Sequence, residues 1–309
     1  MELRQLRSLV TLVESGCNVS RAAERLFIVQ SAVSQHILRL EEELGVHLFM
    51  RQGKRILGLT EAGEQVLQHA RRVLAETGNI LEVGREHVED STGVLRIGTT
   101  HTQARYVLPP VVTRFNRAWP RVELQIHQDT PRHLVRMLLE EKVDFAICTE
   151  DLAAEPHVTT VPGYQWNRSL IAPPGHPLLL EEEPTLEALC AHPLITYVHG
   201  FTGRGHFDRS LQKAGLQPHI VLTAADTDVI KTYVRQRMGI GIIASMAYDP
   251  VQDADLAIRD LARLFPWETT HIAYPENKYL RRYQQHFIEL FREHVTEMSS
   301  EETAGLQPA

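Results

Sequence analysis

The chain has 309 residues, of which 43% are hydrophobic, and this length allows two or three domains with buried cores. There is no charged-then-apolar leader and no run of about 18 apolar residues, so we expect a cytoplasmic protein without a membrane-spanning segment. Cys17, Cys148 and Cys190 have no CxxC spacing, and the 16 histidines have no HxH or HExxH spacing. We therefore expect no disulfide framework, no metal site and no cofactor.

The net charge of −7 is distributed unevenly along the chain. Residues 1–60 carry eight cations against six glutamates, a local charge of about +2, and the remainder is acidic. Because exposed charges more than about 10 Å apart are largely screened, a basic segment can bind nucleic acid within an acidic protein. The eight cations are Arg4, Arg7, Arg21, Arg25, Arg39, Arg51, Lys54 and Arg55.

Residues 18–60 contain two short helical patterns separated by a break of three to four residues. An apolar stripe runs through both patterns, and a basic hairpin follows at residues 51–55. A helix, a tight turn and a second helix form the arrangement that places the second helix in a DNA major groove. The sequence therefore predicts a winged helix-turn-helix. The stripe consists of Ala22, Ala23, Leu26, Val33, Ile37, Leu40 and Leu44.

The polar face of the second helix is the part expected to meet DNA. Gln can bond bidentately to adenine and Ser can donate or accept at either base, so the first residues of this helix are expected to contact base edges. Arg39 and the hairpin cations are expected to contact phosphates, which position a protein without specifying sequence. The alternative is a solvated face on an ordinary helical hairpin. The predicted DNA-binding residues are Gln30, Ser31, Ser34, Gln35, Arg39, Arg51, Lys54 and Arg55.

The run AAERLFIVQSAVSQHILRLEEELGVHLFMR, followed by LTEAG, resembles the winged helix-turn-helix of LysR-type transcriptional regulators. Members of that family usually have Ser before the Gln and Pro after it, whereas this chain has Val29 and Ser31. Val cannot cap a helix, and a lost cap typically costs about 0.5–2 kcal/mol. We expect either that Ser31 caps the helix one turn later or that Val29 packs instead.

A sustained seam of small and apolar residues follows from Leu59 to about Val88 without a proline. Such a seam, at spacings of three and four residues, predicts a long helix with an interhelical contact. The resemblance implies that this helix pairs two chains, and the alternative is a helix packed on its own domain. We expect a DNA-binding domain at 1–60 and a linker helix at 61–92. The seam is Ala62, Val66, Ala70, Val73, Thr77 and Ile80.

From Val94 onward, strand and helix patterns alternate, which predicts parallel sheets covered on both faces, an α/β fold. The alternation predicts two lobes within an effector-binding domain at 93–309. The first lobe is expected at about 93–162 with 268–294, the second at about 163–267, and the tail MSSEETAGLQPA is expected to be disordered. This part resembles the two-lobed periplasmic-binding-protein fold with which LysR-type regulators sense effectors. Ligands of such folds lie between the lobes, at the carboxyl ends of strands.

Hydroxyl and amide side chains follow the first strand of the first lobe, and a further threonine follows a strand of the second lobe. Residues 99–103, TTHTQ, precede a helical pattern, where backbone N–H groups and the helix dipole favour an anion. Thr202 lies between two glycines of HGFTGRG, and glycines allow a bound group to approach the backbone closely. We therefore expect a neutral oxyanion site made of donors without a carboxylate. The alternative is that these threonines are ordinary helix caps.

The motifs TTHTQARYVLPP, CTEDL, WNRS, HGFTGRG and TDVIKTYVRQRMGIGIIASMA resemble the CysB–Cbl branch of the LysR family. The resemblance implies an effector such as sulfate, thiosulfate or an acetylserine and a role in sulfur assimilation. It also implies a homotetramer that contacts double-stranded DNA, and a contact with RNA polymerase is expected. It also implies six effector-binding residues: Thr100, Thr102, Gln103 and Thr202 around the oxyanion, with Thr149 and Trp166 lining the cleft.

The sequence argues against two other classes of protein, an enzyme and a transport-associated binding protein. An enzyme would need a nucleophile or an acid–base pair, and the chain has no GxSxG, P-loop or Rossmann glycine motif, so none is expected. Asp226 and Asp228 are interpreted as the acidic start of a helix. A transport-associated binding protein would share the two-lobed fold but would lack residues 1–90. A LysR-type regulator of another pathway, and the choice between activator and repressor, stay open.

Overall fold

The computed structural model describes residues 1–305 apart from 54, 89, 90, 151, 153, 154 and 182, with side chains to residue 298. It forms two compact units, Met1–Val88 with Asn277–Tyr279, and Glu89–Glu276 with Leu280–Ala309. No helix among the described residues is long and apolar enough to cross a membrane. The predicted linker end at 89–93 falls partly on residues outside those described.

The first unit is a winged helix-turn-helix followed by a long helix. Its elements are α1 (Leu3–Glu14), α2 (Val19–Leu26), α3 (Gln30–Leu44), β1 (Phe49–Gln52), β2 (Arg55–Leu59) and α4 (Glu61–Val88). Leu9, Val33, Ile37 and Leu40 are among the buried apolar side chains that join α1, α2, α3 and the start of α4 in one core. The hairpin β1–β2 is antiparallel, as the basic wing of the sequence analysis requires.

Gly63 explains how the wing is joined to α4. A Cβ atom at this position would lie 2.1 Å from the carbonyl oxygen of Leu48, so only glycine allows the two backbones to approach. Thr60 caps the helix: its hydroxyl accepts from the Gly63 N–H at 3.0 Å and donates to the His47 carbonyl at 2.7 Å. The LTEAG motif therefore sets the point at which the linker helix leaves the DNA-binding domain.

The predicted seam of α4 divides into two parts. Ala70 is buried and Val66 packs against the core of the first unit, which is the arrangement considered as the alternative to chain pairing. Val73 and Ile80, further along, are 42% and 66% exposed. The first half of the seam thus belongs to this domain, and the second half presents apolar side chains outward.

The second unit contains two five-stranded sheets. In chain order its elements are β3 (Gly93–Thr99), a π-helical turn (Gln103–Val107), α5 (Leu108–Ala118), β4 (Val122–Gln128), α6 (Pro131–Leu139), β5 (Phe145–Cys148), β6 (Val158–Trp166), β7 (Arg168–Ala172), α7 (Pro177–Leu180), α8 (Leu186–Cys190), β8 (Leu194–Tyr197), α9 (Arg204–Lys213), β9 (Ile220–Ala224), α10 (Thr227–Arg235), β10 (Ile240–Ala244), a 3-10 turn (Ser245–Ala247), β11 (Ala257–Asp260), β12 (Glu268–Pro275) and α11 (Arg282–Gly305).

Each sheet forms the centre of one lobe. The first-lobe sheet has the order β4-β3-β5-β12-β6, and the second-lobe sheet has the order β11-β7-β10-β8-β9. Strands β3, β4 and β5 are parallel, as are β8, β9 and β10, whereas β7 and β12 run antiparallel to their neighbours. Helices cover both faces of both sheets, which confirms the α/β, two-lobed fold.

Two segments join the lobes. The chain passes from β6 to β7 through Asn167 and returns between β11 and β12. Strand β6 belongs to the first-lobe sheet as far as Trp166, beyond the predicted lobe boundary at residue 162. Both connections therefore lie beside Trp166 and Glu268, the last residue of β6 and the first of β12.

The carboxyl-terminal tail differs from the prediction. Helix α11 continues to Gly305, through most of the segment expected to be disordered, and residues 306–309 lie outside the described part. Val295 is buried in the first-lobe core and Met298 packs against the same core. These apolar contacts extend the helix beyond the residues whose periodicity was evident in the sequence.

Candidate DNA-binding and effector-binding sites

Helix α3 presents the predicted reading face to solvent. The buried side chains Val33, Ile37 and Leu40 lie on the face toward the core. The predicted contact residues Gln30, Ser31, Ser34, Gln35 and Arg39 are all exposed. An α-helix with this polar face free can enter a major groove.

The start of α3 differs from both expectations for its cap. Val29 is the N-cap residue, and its side chain makes no capping hydrogen bond. Ser31 makes no capping bond among the described residues, and Val29 is 67% exposed rather than packed. The preceding turn is made by Phe27, which has a φ of 55° and is 95% exposed. The turn therefore places three apolar side chains, 27–29, beside the reading face.

The wing is anchored from within by Glu41. This buried carboxylate accepts from the N–H groups of Leu48 and Phe49 at 2.8 and 3.2 Å, and from Arg51 at 3.1 Å. Arg51, predicted to bind phosphate, is thus held by an ion pair and remains about one-third exposed. Arg55 is exposed. Lys54, also predicted to bind phosphate, lies outside the described residues.

We expect Gln35→Ala and Arg55→Ala to affect DNA binding differently. Loss of a bidentate base contact costs about 1–3 kcal/mol at one base position, so Gln35→Ala should relax sequence preference there. Arg55→Ala should weaken binding to all DNA sequences alike. It should also lower the slope of log K against log salt concentration by about one, because one phosphate contact is lost. Fluorescence anisotropy against a set of point-mutated operators at several salt concentrations distinguishes the two. Identical patterns for both variants would contradict the division into base and phosphate contacts.

In the second unit, carboxyl ends of the parallel strands of both lobes meet. Tyr106, in the π-helical turn of the first lobe, donates to Asp228 of the second lobe at 2.7 Å and accepts from Lys231 at 3.2 Å. Arg105 forms an ion pair with Asp228 at 2.8 Å. Asp226 and Asp228 lie at a helix start, as the sequence predicts, and Asp226 caps α10 by accepting from the Val229 N–H. Asp228 has the additional role of joining the lobes.

Three of the predicted effector residues belong to one hydrogen-bond network. Its centre is the Thr270 hydroxyl, which lies 3.4 Å from Gln103 Nε2 and 3.2 Å from the Thr149 hydroxyl. Trp166 Nε1 donates to Thr149 at 3.3 Å, and Tyr164 donates to the Gln103 carbonyl oxygen at 2.6 Å. These bonds fix the positions of Gln103, Thr149 and Trp166.

Thr102 has a different environment. It is buried, and its hydroxyl has no hydrogen-bond partner among the described residues, although it lies close enough to Tyr197 to influence the pKa of that phenol. Burial raises the pKa of Tyr197, whose hydroxyl bonds to Thr227 at 2.6 Å and accepts from the Ala244 N–H at 3.1 Å. Thr102 does not cap the π-helical turn that follows it, so the interpretation of this threonine as an ordinary cap was wrong.

Thr100 and Thr202 complete the predicted set. Both are buried, and the Thr100 carbonyl accepts from the Ala104 N–H at 3.1 Å. Thr202 has a φ of 45°, between Gly200 and Gly203 with φ of 81° and 68°. A β-branched residue with positive φ is strained, and such strain persists where the surroundings require it, often at ligand sites. Thr102 precedes the first-lobe turn and Thr202 follows β8, so the two threonines come from different lobes.

The expectation of a neutral site without carboxylates was wrong. Glu150, from the first lobe, accepts from the Gly203 N–H of the second. Arg168, whose side chain is 4% exposed, donates at 2.6 Å both to the Gly203 carbonyl and to Glu268. His206 lies 2.7 Å from the same Glu268 carboxylate. Charged side chains therefore surround the start of α9, next to Thr202.

His101, Asp226 and Asp228 form one group of three potential metal ligands within the described part of the chain. However, Asp228 already accepts from Tyr106 and pairs with Arg105, and Asp226 caps a helix. A cationic guanidinium on the shared carboxylate opposes metal binding. The geometry thus gives these side chains a structural role at the junction of the lobes.

Several residues of the cleft were not identified from the sequence. Glu150 and Arg168 lie in the motifs CTEDL and WNRS, but the effector-binding residues predicted from those motifs are their neighbours Thr149 and Trp166. Arg168 could have been identified from the sequence, because it is the first residue of the apolar strand RSLIA, and a cation buried with such a strand needs a partner of opposite charge. Tyr197, Glu268 and Thr270 come from segments with no such signal.

Comparisons with known proteins agree with this architecture. Residues 3–64 match the family model "Bacterial regulatory helix-turn-helix protein, lysR family", and residues 89–296 match "LysR substrate binding domain". The regulator SsuR of Burkholderia cenocepacia is 42% identical over 99% of this chain and 98% of its own. The regulator CysB of Haemophilus influenzae is 42% identical over 99% of this chain and 95% of its own.

A solved structure gives the same result for the second unit. The cofactor-binding domain of the Cbl transcriptional regulator is 37% identical, with a TM-score of 0.64 over 69% of this chain and 94% of that domain. Both the DNA-binding and the substrate-binding family models match, and relatives named SsuR, CysB and Cbl cover nearly the whole chain. The chain therefore belongs to the LysR family of transcriptional regulators, in its CysB–Cbl-like branch.

Proposed function

We propose that this regulator controls sulfur-assimilation genes in response to a small sulfur-related anion or an acetylserine bound between its lobes. The observation that carries the proposal is the Thr102 hydroxyl, buried and without a partner among the described residues. Buried polar groups are nearly always hydrogen-bonded, so such a hydroxyl is well placed to bond to a ligand. The similarity to CysB, Cbl and SsuR supports a sulfur-related ligand.

In this proposal, residues 1–60 bind DNA, residues 61–92 pair two chains, and residues 93–309 bind the effector. Thr100, Thr102, Gln103 and Thr202 contact the oxyanion, while Thr149 and Trp166 line the cleft. A ligand held by both lobes favours one of their relative arrangements, and this differential affinity is what can shift a regulator between states. The protein acts in the cytoplasm, as a tetramer on DNA, where it also contacts RNA polymerase.

A second candidate is a LysR-type regulator that answers a different small anion. The charged groups at the start of α9 favour this candidate, because Arg168 suits a carboxylate as well as a sulfate. An enzyme or a simple binding protein on the same fold would show no salt-dependent shift of a promoter fragment. The choice of effector therefore needs a direct ligand screen.

A thermal-shift screen tests the proposed effector class. We expect sulfate, thiosulfate, O-acetylserine, N-acetylserine or adenylyl sulfate to raise the melting temperature, since a ligand at 100 times its Kd stabilises by about 2.7 kcal/mol. Chloride at equal ionic strength and phosphate serve as controls. Stabilisation by an unrelated carboxylate alone would favour the second candidate. No response to any of the five compounds would contradict the proposal.

A further inference from the structure

The amino-terminal end of α9 is occupied by a side chain from the opposite lobe. Gly203 is the N-cap residue of this ten-residue helix, and its N–H donates to the Glu150 carboxylate of the first lobe. The Gly203 carbonyl accepts from Arg168 at 2.6 Å. The N-terminus of a helix favours a negative charge, and here Glu150 supplies it.

Two buried donors, one on Arg168 and one on Thr102, have unused hydrogen-bonding capacity within the described part of the chain. Arg168 Nη1 and the Thr102 hydroxyl are buried and unpartnered among the described residues. Arg168 donates to the Gly203 carbonyl at the α9 terminus, and Thr102 lies close to Tyr197, the last residue of β8. Because buried donors are normally satisfied, this region can accommodate acceptor oxygens in addition to those of Glu150.

The charges at this point limit how an anion can enter. Glu150 and Glu268 place two carboxylates around one guanidinium, Arg168, with His206 2.7 Å from Glu268. An anion bound here would be repelled by the two carboxylates at short range, because buried protein screens charges less than water does. Glu268 pairs with the buried Arg168, whereas Glu150 follows β5 and bonds the Gly203 N–H of the opposite lobe. An anion that takes the place of the carboxylate at the α9 terminus therefore replaces Glu150.

We propose that Glu150 is an internal competitor of the effector: its carboxylate occupies the α9 terminus in the free protein, and an anionic effector displaces it. This inference rests on the proposed function. A tetrahedral oxyanion offers four acceptor oxygens where a carboxylate offers two, and in this proposal it accepts from Gly203, Arg168 and Thr102 together. Binding then exchanges a direct bond between the lobes for contacts through the ligand. The same competition disfavours weak anions that cannot replace Glu150.

Glu150→Gln tests the competition in the full-length protein. The amide oxygen can still accept from the Gly203 N–H, but the negative charge is gone. We expect sulfate to bind roughly tenfold more tightly, as expected for removal of one partly screened like-charge contact. Calorimetric titration with sodium sulfate, at ionic strength held constant with chloride, measures the change. Glu123→Gln, at an exposed position on the edge strand β4, removes the same charge and should leave the affinity unchanged.

The outcomes separate this inference from the proposed function. If wild type binds sulfate and Glu150→Gln binds it equally or more weakly, Glu150 is no competitor, although the effector class stands. If neither protein binds sulfate, thiosulfate or an acetylserine, both proposals fall. Glu150→Asp provides a second variant, because a shorter carboxylate keeps the charge but reaches Gly203 less well. It should bind sulfate more tightly than wild type by a smaller factor, and weaker binding would overturn the inference.

Discussion

Replacing Thr102 by Val is expected to weaken effector binding by about tenfold or more, since a hydrogen bond to a charged group contributes about 1.5–3 kcal/mol. Valine keeps the shape of the side chain and removes only the hydroxyl. That hydroxyl has no hydrogen-bond partner among the described residues, so its loss should leave the melting temperature unchanged or slightly higher. Titration calorimetry with sulfate, thiosulfate and N-acetylserine measures the affinities, and a thermal scan measures the stability.

A matched variant distinguishes this effect from a general loss of hydroxyl groups. Thr113 lies on α5 of the same lobe, is exposed, and donates to the Pro109 carbonyl at 2.8 Å. Thr113→Val should keep wild-type affinity for all three ligands. Thr102→Val should also blunt the effector's action at the promoter while DNA affinity without effector stays the same. Equal ligand affinities in wild type and Thr102→Val would remove Thr102 from the site.

The buried strands explain why most of the effector domain was predictable. FAIC of β5 and IGIIA of β10 are buried along their whole length, as strands of parallel sheets covered on both faces must be. Strand β6 was not predicted, because Pro162 and Gly163 disfavour a strand. The structure accommodates both through tertiary contacts: Pro162 pairs with His271 at a register shift, and a Cβ at Gly163 would lie 2.9 Å from Phe291.

The candidate site was predictable only where its residues follow strands in sequence. Thr102 and Thr202 do so, and their hydroxyl and glycine context indicated a loop that holds a ligand. Thr270 and Glu268 belong to β12, which returns from the second lobe, and Thr270 meets Thr149 across 121 residues. No local sequence pattern predicts a contact between residues so far apart along the chain. The charge of the site was misjudged for the same reason, because Glu268 and Arg168 meet only through the fold.

The two halves of α4 show how packing decides between alternatives that periodicity leaves open. The seam has one period throughout, yet Ala70 is covered by the domain core, whereas Val73 and Ile80 are exposed. Leu81 and Val88 are exposed as well, at 59% and 84%. Apolar side chains that recur on a helix and find no cover in their own domain indicate a partner surface. This surface supports pairing of two chains through the second half of the helix.

Val73→Asp is expected to abolish this pairing and, with it, tight operator binding. Burial of an unpaired charge costs several kcal/mol, which corresponds to a loss of about 100-fold or more in the association constant. A single DNA-binding domain would then contact one half-site, without the second contact that a paired chain supplies. Light scattering measures the oligomeric state, and fluorescence anisotropy with an operator fragment measures the affinity. Ligand binding by residues 91–309 should persist.

Ala75→Asp is the matched control, because it adds the same charge to the same helix at an exposed position outside the seam. Since that side chain is predicted to stay in water when two chains pair, this variant should keep both its assembly state and its operator affinity. A Val73→Asp protein that still pairs would place the contact elsewhere on the chain. A monomeric wild type with full operator affinity would show instead that operator recognition by α3 does not require a second chain. The exposed apolar residues of α4 would then serve another purpose.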